Sequence, residues 1–166
     1  MKNSNQKVLY QVDVYMQLTV NDEKVQIHRS EMLDNSIGES YFLELKNKIL
    51  FLFKDKFDNA KDIFYISKND YEKDDFDIEK SERVIFDLTI YILIEHKSQY
   101  TTLIFTYEKC SNLEISREYI LNFLNIAISG SVEEFGWKSE DCTSVFINKE
   151  GYDTLKTDIV KSIVVE

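Results

Sequence analysis

The chain predicts an α+β domain: an antiparallel β-sheet of about five to six strands, two main helices packed on one face, and a short C-terminal helix. Two patterns carry this. Long stretches alternate apolar and polar residues, as half-buried strands do. Two other segments space their apolar residues as a helix does. The elements run β-β-α-β and then β-β-α-β-α, and helices laid on an antiparallel sheet make an α+β layer.

The first strand is the clearest. Val8, Tyr10, Val12, Val14, Met16, Leu18 and Val20 take every second position, with Gln11, Asp13, Gln17 and Thr19 between them. Asn21 to Lys24 is a turn signal, and Val25, Ile27 and Arg29 give a shorter return strand. Ser36 followed by Glu39 has the spacing of a capping box. Beyond it Phe42, Leu45, Ile49, Leu52 and Phe53 form an apolar stripe, predicting a helix to about Asp58. Residues 62–67 read as a short strand, followed by a polar, acidic connection.

Val84, Phe86, Leu88, Ile90, Ile92 and Ile94 then fall on one face of a strand, with Asp87, Thr89, Tyr91 and Glu95 on the other. His96 to Gln99 contains no glycine, which predicts a loop of about four residues rather than a tight turn. Leu103, Phe105 and Tyr107 continue as the partner strand. Ser116 is a plausible N-cap for a second helix with Ile120, Phe123, Leu124 and Ala127 inward, and Gly130 is its natural stop. Residues 143–148 make a weaker strand. Leu155, Ile159 and Ile163 suggest a C-terminal helix, although the β-branched ending is also compatible with a strand.

One domain spans residues 1–166. The length suits a single hydrophobic core, and four glycines with no proline leave no hinge-like linker. No internal repeat is strong enough to claim. Tyr15, Tyr65 and Tyr91 fall on sheet positions opposite the apolar face.

The residue content, 43% apolar and 30% charged, is that of a globular chain. No run approaches the ~18 consecutive apolar residues of a membrane span, and the first residues lack a secretory signal; the expected location is the cytoplasm. The scarcity of Ala and Arg beside abundant Lys, Asn, Ile, Phe and Tyr points to an AT-rich genome, bacterial or phage. A net charge of −10 disfavours direct contact with nucleic acid or an anionic membrane and suits a basic protein partner.

Little in the motifs suggests catalysis. His28 and His96 each lack a neighbouring histidine, and both read as solvent-facing or hairpin-end imidazoles. Cys110 and Cys142 form no metal or redox motif and read as reduced thiols. The four glycines make no phosphate loop. A calcium loop starting at Asp70 fails where it needs a glycine (Asp75), an apolar residue (Asp77) and a glutamate (Ser81). No catalytic residue, metal or cofactor is expected.

The segment 70–82 holds seven carboxylates against Lys73 and Lys80. Its bland reading is a solvated connection. Its functional reading is a contact surface, with Asp70, Tyr71, Glu72, Asp74, Asp75, Phe76, Asp77 and Glu79 as partner-binding residues, because aromatics within an acidic segment can anchor an interface. The expected function is therefore a non-enzymatic acidic inhibitor or antagonist, of the immunity or anti-defence kind, acting on a basic, nucleic-acid-handling protein. The alternative is a homo-oligomeric chaperone or assembly factor using an apolar, tyrosine-rich sheet surface. An enzyme with a carboxylate site ranks third, and would gain if several acids met in one pocket beside His28 or His96.

Overall fold

The alternation at the start of the chain builds strand β1 (Tyr10–Val20), whose even-numbered side chains enter one apolar cluster. The computed structural model describes residues 6–74, 76–111, 114–155 and 160–164. Asn21 and Asp22 turn the chain into β2 (Glu23–Leu33) with left-handed backbone, φ 51° and 67°. Asn and Asp tolerate that region better than most side chains, and its twist suits a two-residue hairpin. The return strand is longer than expected, because Leu33 still pairs with Tyr10.

Helix α1 (Glu39–Lys56), strand β3 (Ala60–Ile66) and helix α2 (Lys68–Glu72) complete a first unit. The order then recurs as β4 (Phe86–His96), β5 (Gln99–Cys110), α3 (Arg117–Phe135), β6 (Cys142–Ile147) and α4 (Lys149–Leu155), followed by β7 (Val160–Val164).

The recurrence is an internal repeat that the sequence alone does not show. A displacement of 76 residues carries Tyr10 to Phe86, Val20 to His96 and Glu23 to Gln99, so one hairpin maps onto the other. The units join where β1 pairs antiparallel with β4: Gln11 opposite Thr89, Val12 opposite Leu88, Asp13 opposite Asp87. The same displacement takes Gln11 to Asp87 and Asp13 to Thr89, so this pairing maps onto itself. The Val12–Leu88 pair thus lies on a pseudo-two-fold axis. Ile37 and Ile115, at equivalent positions before α1 and α3, exchange backbone hydrogen bonds of 3.1 and 2.9 Å. Buried Phe42, Leu45 and Ile49 of α1 match Ile120, Phe123 and Ala127 of α3. Few of these pairs are identical. Only apolar character and spacing persist, and packing demands no more than that.

The sheet runs β2-β1-β4-β5-β7, with β3 on the remaining inner edge of β1 and β6 on that of β4. All pairings are antiparallel except β5 with β7. Because β4 and β3 share one edge of β1, and β1 and β6 one edge of β4, the sheet curls. A bulge between Gln17 and Thr19 adds local twist. Phe42 of α1 stacks on Phe86, and Phe123 of α3 meets Phe105, so both long helices contribute to the cluster that holds the even-numbered faces of β1 and β4. Tyr65 belongs to this core, where its hydroxyl donates to the Phe42 carbonyl, rather than to the opposite face. Among the described residues no helix is long and apolar enough to cross a membrane.

Several local expectations are corrected. Gly38, not Ser36, caps α1, because the Ile37–Ile115 bridge holds the preceding backbone extended; the Ser36 hydroxyl accepts from the Arg117 N–H instead. The turn after β4 is a tight two-residue Lys97–Ser98, made possible by left-handed Lys97 (φ 57°). The acidic connection begins with helix α2, capped by Ser67. The C-terminal helix lies earlier than the Leu155, Ile159, Ile163 spacing suggests; Ile163 is in β7 and Ile159 lies outside the described residues. Ser116 caps α3 as expected, its hydroxyl accepting from the Tyr119 N–H at 3.1 Å. Helix α3 passes through Gly130 and stops at left-handed Gly136 (φ 68°), whose N–H bonds the Val132 carbonyl.

The two glycines should therefore respond oppositely to the same change. Gly130 is exposed inside a helix with open space around it, so we predict that Gly130→Ala stabilises the fold by about 1 kcal/mol. Gly136→Ala should destabilise it by about 1 kcal/mol, through left-handed strain. Urea unfolding checks both, and equal effects would contradict the assigned helix end.

Candidate functional site

The odd-numbered positions of β1 and β4 face away from the main core. They carry Gln11, Asp13 and Tyr15 from one strand and Asp87, Thr89 and Tyr91 from the other. Each half lays a short helix over its tyrosine: Tyr71 of α2 meets Tyr15 with ring centres 5.0 Å apart, and Tyr152 of α4 meets Tyr91 at 5.2 Å. Tyr15 and Tyr91 therefore lie on the face expected of them but are buried under these helices.

Between α2 and the sheet a cleft of about 420 Å³ remains, lined among others by Asp13, His28, Tyr71, Glu72, Asp87 and Glu108. A smaller hollow of about 310 Å³ continues from it past Asn69 and Lys109. Lys68 is the only lysine on the wall of the larger cleft, against four carboxylates. This face meets the condition set for a carboxylate site, namely several acids in one pocket beside His28.

Register creates the unusual chemistry. Asp13 and Asp87 are direct partners across the β1–β4 pairing and only 9% and 7% exposed. Like charges directly opposite each other on neighbouring strands are destabilising. Asp13 is compensated: one oxygen lies 2.8 Å from His28 Nε2 and the other accepts from the Gln11 amide at 2.8 Å. His28 in turn stacks on Tyr15, centroids 4.4 Å apart. Among the described residues Asp87 accepts only a backbone hydrogen bond from Lys109, at 3.0 Å. Burial pushes its carboxyl above the ordinary aspartate range, Glu108 and Asp13 add to that, and the Lys109 N–H and Lys68 oppose it. Burial and the nearby Asp13 also hold the Tyr15 hydroxyl well above its usual range and push Tyr91 up to about 12. Among the described residues no three His, Cys, Asp or Glu side chains converge on a metal-sized site.

The partner-binding residues expected from sequence divide into two groups. Tyr71 and Glu72, from α2, line the cleft. Glu72, Asp74 and Phe76 border an adjoining groove of about 500 Å³ with Lys24, Val25 and Gln26 of β2. Asp70, Asp77 and Glu79 border neither, and Asp75 lies outside the described residues. Tyr71 and Ile78 pack on the Tyr15, Phe64 and Ile66 cluster, and Phe76 between them is left 41% exposed.

Sequence reasoning missed Asp13, Asp87 and their neighbours. The available signal was an aspartate within each of two strong strands, where that residue is disfavoured. The register that places them face to face is a tertiary fact. His28 is exposed on this polar face, whereas His96 is a buried hairpin-end imidazole that stacks on Trp137 (5.0 Å) and accepts at Nε2 from the Lys138 N–H.

Comparison with protein-family models, curated proteins and solved structures returns no match to this chain.

Asp87 gives a pH prediction with a definite sign. Its raised folded pKa means that the folded chain holds this proton more tightly than the unfolded chain. Its contribution to stability is therefore fullest below the unfolded pKa and is lost as pH rises through the folded value. Asp87→Asn keeps the oxygen that accepts from Lys109 and removes the charge. We predict a higher Tm for the variant at neutral pH, with the gap from wild type narrowing as pH falls through the carboxylate range. Thermal unfolding across that range tests it; a lower Tm for the variant at neutral pH would show that the charge is compensated.

Proposed function

We propose that this chain is a non-enzymatic, acidic binding protein that acts in the cytoplasm. In this reading it occludes a basic, nucleic-acid-handling protein, as an inhibitor of the immunity or anti-defence kind does. The observation that carries this is Phe76. It is held outward between two anchored residues, Tyr71 and Ile78, on a segment crowded with carboxylates and beside a groove. A large apolar side chain surrounded by charge is the usual make-up of an interface anchor with a polar rim. The carboxylates would steer a basic partner toward it, an effect weakened by salt.

A second reading has its own observation. The His28–Asp13 pair, 2.8 Å apart in a cleft, is how a carboxylate orients a histidine general base. Against it, no serine or cysteine is among the residues that line the cleft, and no contact places the hydroxyl of Thr89 or Thr106 against His28. The oligomeric alternative loses its main surface, because Tyr15 and Tyr91 are covered.

The test is capture from nuclease-treated lysate of the native host at low and high salt, with wild type, Phe76→Ser and the double variant Asp74→Lys/Asp77→Lys. We predict that wild type retains a basic protein at low salt and releases it at high salt. Either variant should lose most of the capture while keeping the wild-type Tm within a few degrees, since exposed substitutions away from packed features change stability little. Equal capture by all three proteins would reduce the segment to a solvated connection.

A further inference from the structure

We propose that the cleft on the pseudo-two-fold face is a receptor for a guanidinium group, supplied by an arginine side chain of the basic partner. This deepens the reading of the acidic face as a docking surface and rests on it.

Charge is the first ground. Asp13, Glu72, Asp87 and Glu108 face one lysine on the cleft wall, and two of these carboxylates are buried directly opposite each other. A cation entering between them offsets a repulsion already built into the folded chain. Unsatisfied hydrogen-bonding capacity is the second. Tyr15 and Thr89 both line the cleft, are only 6% and 8% exposed, and their hydroxyls have no hydrogen-bond partner among the described residues. Neither hydroxyl oxygen is among the buried atoms left without a partner, so both open into the cleft. These two, together with the carboxylates, offer several acceptors on one wall.

Shape selects among cations. A metal ion needs its ligands gathered around a point, and no three suitable side chains among the described residues are so placed. A guanidinium is flat, carries five donors in a fixed fork, and stacks on aromatic faces. The rings of Tyr15, Tyr71 and Tyr91 line the cleft, and its volume of about 420 Å³ accommodates an arginine side chain with its stem. The cleft also shares Tyr71 and Glu72 with the groove beside Phe76. One partner could therefore place an arginine in the cleft and its apolar neighbours on Phe76.

The probe is a blocked arginine, N-acetyl-arginine amide, titrated into the full chain near physiological salt and followed by NMR of the tyrosine ring signals. The neutral isostere N-acetyl-citrulline amide and free arginine serve as comparisons. The expected result is a saturable shift at Tyr15, Tyr71 and Tyr91 with the blocked arginine and none with citrulline. Affinity should fall about tenfold or more in Asp87→Asn, the scale of a lost charge-assisted hydrogen bond, and severalfold in Thr89→Val, which serves should the first variant misfold. It should change less than about threefold in Asp74→Lys/Asp77→Lys, whose charges lie outside the cleft and are screened.

Equal response to citrulline, or unchanged affinity in both cleft variants, overturns the receptor. Tighter binding of free arginine than of the blocked form assigns the cleft to a small molecule and overturns the partner arginine. The two readings fail separately. Partner capture that depends on Phe76 without probe binding removes the receptor and leaves the docking surface. Probe binding with the cleft pattern but no salt-sensitive partner keeps the receptor and removes the docking surface.

Discussion

The fold depends on the short antiparallel contact between β1 and β4. Three residue pairs join two units that each contain two hairpin strands, a long helix, a third strand and a short helix. Each unit alone, three strands with one long and one short helix, would have only a small core, because short chains bury a smaller share of their surface. The contact makes the even-numbered faces of β1 and β4 continuous. Val12 and Leu88, each 1% exposed, sit at its centre, and the Ile37–Ile115 bridge ties the units together a second time. Because each central strand gives only part of one edge to this contact, the rest remains for β3 and β6. The curl that follows hollows the polar side.

That polar side is where local preferences and the global fold disagree. Elsewhere, alternation, caps and burial agree with one another. At the junction two aspartates occupy buried strand positions in register, one supported by His28 and Gln11 and the other by a single backbone N–H. A chain selected for stability alone would place threonine or valine there. Such a conflict, confined to one place and located in a cleft, is the usual mark of a site where stability is given up for binding.

Much of the scaffold was legible in the residues themselves. Period two identified both central strands, and helical spacing with Ser116 as cap identified α3, because these signals come from neighbours in sequence. The capping box at Ser36 misled because a tertiary bridge at Ile37 overrode a local preference. Gly130 misled because an exposed glycine is tolerated inside a helix at modest cost, whereas Gly136 is required by its left-handed backbone. The absence of glycine in His96 to Gln99 argued for a long loop, yet Lys97 adopts the left-handed region. The acidic segment was visible as a composition, but the outward position of Phe76 follows from Tyr71 and Ile78 packing against a cluster formed by β1 and β3. The cleft was not legible, because it exists only through a register between residues 74 to 78 apart in the chain.

The pseudo-symmetry bears on how such a cleft can arise. Position 13 corresponds to 89, and position 11 to 87, so the four central residues are Gln and Asp from one half and Asp and Thr from the other. Two identical copies of the first half would set each aspartate against a glutamine. Two copies of the second would set each against a threonine. In this chain the halves differ at these positions, and that difference sets carboxylate against carboxylate beside the axis, just as His28 on one side has Ile104 at the matching place on the other. Joining the halves in one polypeptide therefore did more than secure their association. It released the axis from symmetry and gave this protein a one-sided pocket, with a polarity no symmetric assembly of either half could possess.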